Sequence, residues 1–359
     1  MTALALERDD FRSILHDRRM ILFTALTVLL VLVSFLGLGL GATGVPVSRI
    51  LSVVADALAG RVATGGDALI ILQVRLPRLL LGLLIGGALA SSGALMQGLF
   101  RNPLADPGLV GVSAGAALAA AATITLGDRL LVPLLGPLPF SALPVGAFAG
   151  GLLTTLGLYL VATRSGRTSM ATMLLAGVAF GALAGAAMGL FSYLSDDRQL
   201  RDLSFWSLGS LSGATWTKVT AVAPFILPTL LAMPFLARGL NALSLGEAEA
   251  FHLGVPVQRV KAIAILLVAI AVGASVAAAG MIGFVGIVVP HVLRLIAGAD
   301  HRMLLPASSL LGAALLVAAD TVARTIAAPA ELPIGILTAA IGAPFFLWLL
   351  LRRQGGVAL

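Results

Sequence analysis

The sequence predicts an all-α, polytopic membrane protein of about ten transmembrane helices, and three observations predict it. Of 359 residues, 59% are hydrophobic and only 11% charged, against roughly a quarter charged in a soluble domain. The mean hydropathy of +1.06 leaves too little polar surface to cover a water-soluble globule. Finally, runs free of Asp, Glu, Lys and Arg recur along the chain, each near the ~20 residues that cross a hydrocarbon layer of about 30 Å. The composition is uniform, so residues 1–359 read as one transmembrane domain.

The elements follow in order. Residues 1–19 are polar and carry Arg8, Arg12, Arg18 and Arg19; they read as a cytoplasmic tail ahead of a first span, Met20–Gly41. Further spans are Leu79–Phe100, Gly108–Leu126, Pro144–Thr163, Thr168–Leu194 and Val219–Ala237. Ala262–Leu293 is too long for one helix and is divided in two by Gly280, Gly283 and Pro290. Met303–Ala319, continuing past Asp320 to Ala327, and Leu332–Leu351 complete the set of ten. With both termini inside, 14 of the 23 basic residues fall on the inner side and 9 on the outer, the direction the positive-inside bias requires.

Between the second and third spans, Arg101–Gly108 sets Pro103 and Pro107 in a polar turn, with Asp106 placed to cap the next helix. The similarity of Leu83–Gly93 to Leu266–Gly280, each ahead of a break, points to two related halves of opposite orientation. Small residues such as Gly86, Gly87, Ala90 and Gly93, or Gly177, Gly181 and Gly185, suit close helix approach in lipid.

Several functions are excluded. The net charge of +7 comes from basic residues scattered at the edges of apolar runs, not clustered with aromatics, which speaks against nucleic acid. The chain has no Cys, and neither Lys218 nor Lys261 follows the glycine spacing of a phosphate-binding loop. No catalytic constellation and no metal site can be assembled, so no cofactor is expected on this chain. The four histidines, His16, His252, His291 and His301, fall at or near the expected inner face, poorly placed to ligate an iron-bearing cargo on entry.

Ordered motifs narrow the reading: Arg75-Leu-Pro-Arg78, Gly93–Gln97, Phe100–Gly108, Gly280–Gly286, Val289–Arg294, Asp300–Arg302, Glu331–Gly335 and Gly342–Pro344. On these the chain resembles the FecCD family of permeases, which import iron siderophores, haem and cobalamin. The resemblance implies a type II ABC importer permease in a bacterial inner membrane, working as a homodimer. It also implies two ATPase subunits carrying ATP and magnesium, and a periplasmic substrate-binding protein. The wording of Phe100–Gly108 is most like haem permeases, with ferric siderophores and cobalamin as alternatives.

The resemblance also distributes roles. The polar interruption 241–261, with Gly246, Glu247, Ala250, His252, Leu253, Gly254 and Val255, takes the position of the segment that couples to the ATPase. Arg75, Arg78 and Arg324 take that of an outer docking site for acidic groups of the binding protein. Ser165, Gly166, Thr168 and Ser169 take that of a cytoplasmic gate. Two blander readings stand beside these: Arg75 and Arg78 snorkel, and Arg324 pairs with Asp320 one turn earlier. Asp320, an intramembrane acid, is also the feature a proton- or sodium-coupled carrier would use.

Overall fold

Each charge-free run of the sequence carries a helix. The computed structural model describes residues 2–41, 44–61, 65–127, 142–328 and 330–354. In chain order the helices are α1 (Thr2–Gly39), α2 (Val47–Leu58), α3 (Gly66–Leu99), α4 (Val112–Leu126), α5 (Ala142–Ala162), α6 (Met170–Leu194) and α7 (Asp197–Leu208). They continue as α8 (Trp216–Leu243), α9 (Glu247–His252), α10 (Val257–Ala279), α11 (Val285–Ala297), α12 (His301–Ile326) and α13 (Ile334–Gln354). Among the described residues, seven helical stretches are long and apolar enough to cross a membrane, in α1, α3, α5, α6, α8, α10 and α12. Three shorter apolar helices, Val112–Leu126, Val285–Ala297 and Ile334–Trp348, supply the rest. These coincide with the ten expected spans. The one sheet among the described residues is a two-stranded hairpin, β1 (Thr163–Arg164) with β2 (Arg167–Thr168).

α3, α10 and α12 form the centre. Close approach to α3 depends on glycine: a Cβ on Gly86 would collide with the backbone of Gly312 in α12, and one on Gly93 with the backbone of Gly286 in α11. In lipid, where helices gain no hydrophobic energy by pairing, such backbone contact is the main attraction. Burial is uneven as a result. About 78% of the α10 window is buried but only 6% of the α6 window, and Leu175, Val178, Leu183 and Leu190 of α6 are exposed.

Four boundaries differ from expectation, each for a physical reason. The polar tail is not separate, since Thr2–Gly39 is one continuous helix. The second span begins earlier, at Gly66, and winds as a π-helical segment over Ile70–Arg75. Arg75 and Arg78 therefore lie inside α3 and not at its mouth, which is tolerable because neighbouring helices supply partners. Asp106 accepts the Gly108 N–H at 2.7 Å, but it caps a 3₁₀ turn, Pro107–Val110; α4 proper starts after the left-handed Gly111. The second break is confined to Gly280–Phe284, and Pro290 sits within α11 instead of ending the break.

Candidate functional site

The end of the bundle that carries the start of α1 also carries the expected coupling segment. After α8 ends at Leu243 the chain turns through Gly246, at φ 133°, into the six-residue α9. α9 closes in a Schellman arrangement: the Gly254 N–H donates to Phe251 O at 2.9 Å and the Val255 N–H to Ala250 O at 3.0 Å. Gly254 takes φ 78°, which an L side chain resists. Only Ala250 of α9 is buried. Phe251 and Leu253, 71% and 65% exposed, stand out as apolar groups on a polar stretch. Phe251, together with Arg167, Glu247, His252 and Gly254 to Arg259, lines a groove of about 940 Å³.

The expected gate residues lie beside this segment. Ser165 and Gly166 form the hairpin tip, both at positive φ, 49° and 74°, the geometry of a two-residue hairpin turn. Ser169 caps α6 by accepting the Thr172 N–H at 3.2 Å. Thr168, by contrast, points inward: it is 3% exposed, and its hydroxyl meets that of Thr163 at 3.0 Å. Two side chains of α10 hold its backbone. Gln258 Oε1 accepts the Thr168 N–H at 2.9 Å, and Lys261 Nζ donates to Thr168 O at 2.7 Å. Lys261 also pairs with Glu247 Oε1 of α9 at 2.6 Å, although its side chain is only 1% exposed. The sequence assigns Lys261 no role; the signal that could have found it is its being one of two lysines in an apolar chain.

The same end carries a polar network, built largely from the Gly93–Gln97, Val289–Arg294 and Asp300–Arg302 motifs, to which the sequence assigns no role. Asp300, the N-cap of α12, accepts the Arg302 N–H at 3.0 Å, Asn241 Nδ2 at 2.7 Å and Arg19 at 3.3 Å. Burial acts to raise the Asp300 carboxyl, but the Arg302 N–H, Asn241, Arg19 and the Arg302 charge outweigh it and hold it below the usual range. Asn241 Oδ1 accepts the His301 N–H at 2.9 Å, and Arg294 Nε donates to Gln97 Oε1 at 3.1 Å, tying α3, α8, α11 and α12 together.

At the opposite end the three expected docking arginines come together, though not as free guanidiniums. Arg75, 5% exposed, donates to Leu38 O at 2.5 Å and to Gly39 O at 2.9 Å, the last carbonyls of α1. Arg324 donates to Gly37 O and lies 3.8 Å from Asp320. Arg78, 8% exposed, makes a fork to Asp320 at 2.9 Å and reaches Glu331 at 2.8 Å. The expected exposure of these groups is thus corrected: partners within the chain already occupy them. Of the group only Glu331, its side chain 40% exposed, stands well clear of the interior. The expected Asp320–Arg324 pair is present, but the stronger partner of Asp320 is Arg78, 242 residues away.

Among the described residues no group of three or more His, Asp or Glu could hold a metal ion. His291 and His301 are 3% and 2% exposed, while His252 is exposed on α9.

Comparison with known proteins supplies the remaining evidence. Residues 29–352 match the model of the FecCD transport family. The chain is 51% identical over 286 residues to the hemin transport system permease protein HmuU of Yersinia pestis, covering 79% of this chain and 83% of that one. It is 46% identical over 281 residues to the cobalamin import system permease protein BtuC of Halobacterium salinarum, covering 78% and 73%. A solved structure, an inward-facing conformation of a metal-chelate type ABC transporter, superposes with a TM-score of 0.80 at 34% identity, covering 93% of this chain and 99% of that one. Because the family model covers residues 29–352, nearly the whole chain, the chain belongs to the FecCD transport family.

Proposed function

We propose that this chain is the permease subunit of an ATP-binding-cassette importer that moves haem inward across a bacterial inner membrane. It works as a homodimer over two copies of a separate ATPase and receives cargo from a periplasmic binding protein. The end carrying the start of α1, α9 and the β1–β2 hairpin faces the cytoplasm. The observation that carries this reading is α9: a short helix set between two left-handed glycines, with Phe251 and Leu253 exposed beside a groove. Such a knob has no use in a lone carrier and suits a partner that pushes on it. The exposed, glycine-lined face of α6 supports a second copy, because Gly181, Gly185 and Gly189 have open space where a Cβ would point.

Haem is preferred to cobalamin because the relative named for hemin is more similar than those named for cobalamin. On the outer side the binding protein docks over the Arg75, Arg78 and Arg324 cluster, whose exposed rim includes Glu331. The carrier driven by ions is disfavoured, since Asp320 is forked by Arg78 and has no free carboxylate oxygen to cycle.

The test is uptake by proteoliposomes holding the permease with its own ATPase, loaded with haemin-bound binding protein. Haemin should enter only with ATP, and cobalamin or a ferric siderophore should enter poorly. Uptake driven by a proton or sodium gradient with no ATPase present overturns the proposal.

A further inference from the structure

We propose that Lys261 is the latch through which α9 controls the gate hairpin. The inference rests on the reading of α9 as the ATPase handle and of β1–β2 as the gate, and it names the residue that joins them. Lys261 projects from the second turn of α10, the most buried of the spans. Its ammonium lies between two elements that flank the start of α10. On one side is Glu247 of α9, at 2.6 Å; on the other is the carbonyl of Thr168, at 2.7 Å. Thr168 closes the hairpin and is followed at once by Ser169, the cap of α6. The chain of contact therefore runs from the handle, through one charge, to the first turn of the helix with the open glycine face.

The two partners are unequal in a way that makes a latch. Glu247 is 45% exposed and sits on a helix that buries a single residue, flanked by Gly246 and Gly254 at positive φ, so it can be drawn away. Lys261 is 1% exposed and cannot remain charged with one carbonyl as its only partner without a large desolvation cost. When α9 moves, the ammonium follows Glu247 on its flexible four-carbon stem and lets go of Thr168. Of the two α10 side chains that hydrogen-bond the Thr168 backbone, Gln258 alone then remains, through the Thr168 N–H. Neutral packing at this position would fill the same space and transmit nothing.

The chain has no Cys, so single reporters can be placed. The experiment uses the permease with its ATPase and binding protein in liposomes, with haemin as cargo. Lys261→Met should leave ATP hydrolysis running while haemin moved per ATP falls about tenfold or more. A spin label at Ser165→Cys in each copy should lose the nucleotide-dependent change in mutual distance that the unmutated latch shows. Glu247→Gln, on a half-exposed side chain, should shift both readouts the same way and carries the test should Lys261→Met not assemble. If both variants lower uptake and hydrolysis in proportion and the label distance still responds, Lys261 is a structural residue and the inference is overturned. A Leu253→Cys crosslink to the ATPase separates the two levels. Loss of that crosslink in the otherwise unaltered complex overturns the reading of α9, and the latch with it, whereas its presence with unchanged coupling overturns the latch alone.

Discussion

The two ends of the bundle handle buried charge in opposite ways. At the end remote from the start of α1, Arg75, Arg78, Arg324, Asp320 and Glu331 satisfy one another and the last carbonyls of that helix. Its core is Arg78 on α3 with Asp320 and Arg324 on α12, two helices packed at the centre, so the cluster is a brace. At the end with α9, one ammonium is shared between a half-exposed carboxylate and a backbone carbonyl. Both sites pair a buried cation with a carboxylate. What separates them is the mobility of the partner: charge between two fixed helices stiffens, while charge between a fixed helix and a short exposed one can be handed over.

Substitutions can break or sharpen this contrast. The largest effect should come from the brace: Arg78→Met leaves Asp320 buried beside a single distant guanidinium and should cost about 3–5 kcal/mol, seen as a large fall in the thermal unfolding temperature in detergent. Gly93→Ala should follow, since its Cβ has no room against Gly286; overpacking of about 1–3 kcal/mol is expected in the same assay. Gly254→Ala forces an L residue to φ 78° and should cost roughly 1–2 kcal/mol at α9, with protease sensitivity at residues 246–256 rising before global unfolding changes.

The smallest effect concerns pH. The Asp300 carboxyl is held below its ordinary value, so its contribution to stability is present above the unfolded pKa near 3.9 and is lost as pH falls through the folded one. With about a third of that side chain exposed, the gain is under about 1 kcal/mol. Asp300→Asn should flatten the acid limb of the stability curve by lowering neutral stability by that same small amount, under about 1 kcal/mol, while stability at low pH stays the same. An equal acid limb in both proteins would show that Asp300 does not carry it.

The spans were legible because the signal is local: a run without charge and long enough to cross lipid can only be a helix. The breaks were legible for the same reason, since Pro107 and Gly280 disturb their own neighbourhood. The π-helical segment at Ile70–Arg75 was not, because an inserted residue leaves no mark in an apolar run. The site divided along the same line. Arg324 as a partner of Asp320 could be read from four-residue spacing, but the fork from Arg78 spans 242 residues and only packing creates it. Glu247 was singled out as a coupling residue, yet its partner Lys261 and the Thr168 carbonyl 93 residues from that lysine depend on how α10 lies against the hairpin. Opposite charges in an apolar chain announce that a partner exists; they do not say which.

The end of α1 carries a consequence for how the chain is made. Its last carbonyls, at Gly37, Leu38 and Gly39, receive guanidinium protons from Arg75 and from Arg324, the latter 287 residues downstream of Gly37. During synthesis α1, the first of the segments described, therefore waits, with its terminus incompletely satisfied, until residue 324 has left the ribosome. Nascent chains stalled before residue 324 should hold that first segment loosely, and those released after it should lock it in place.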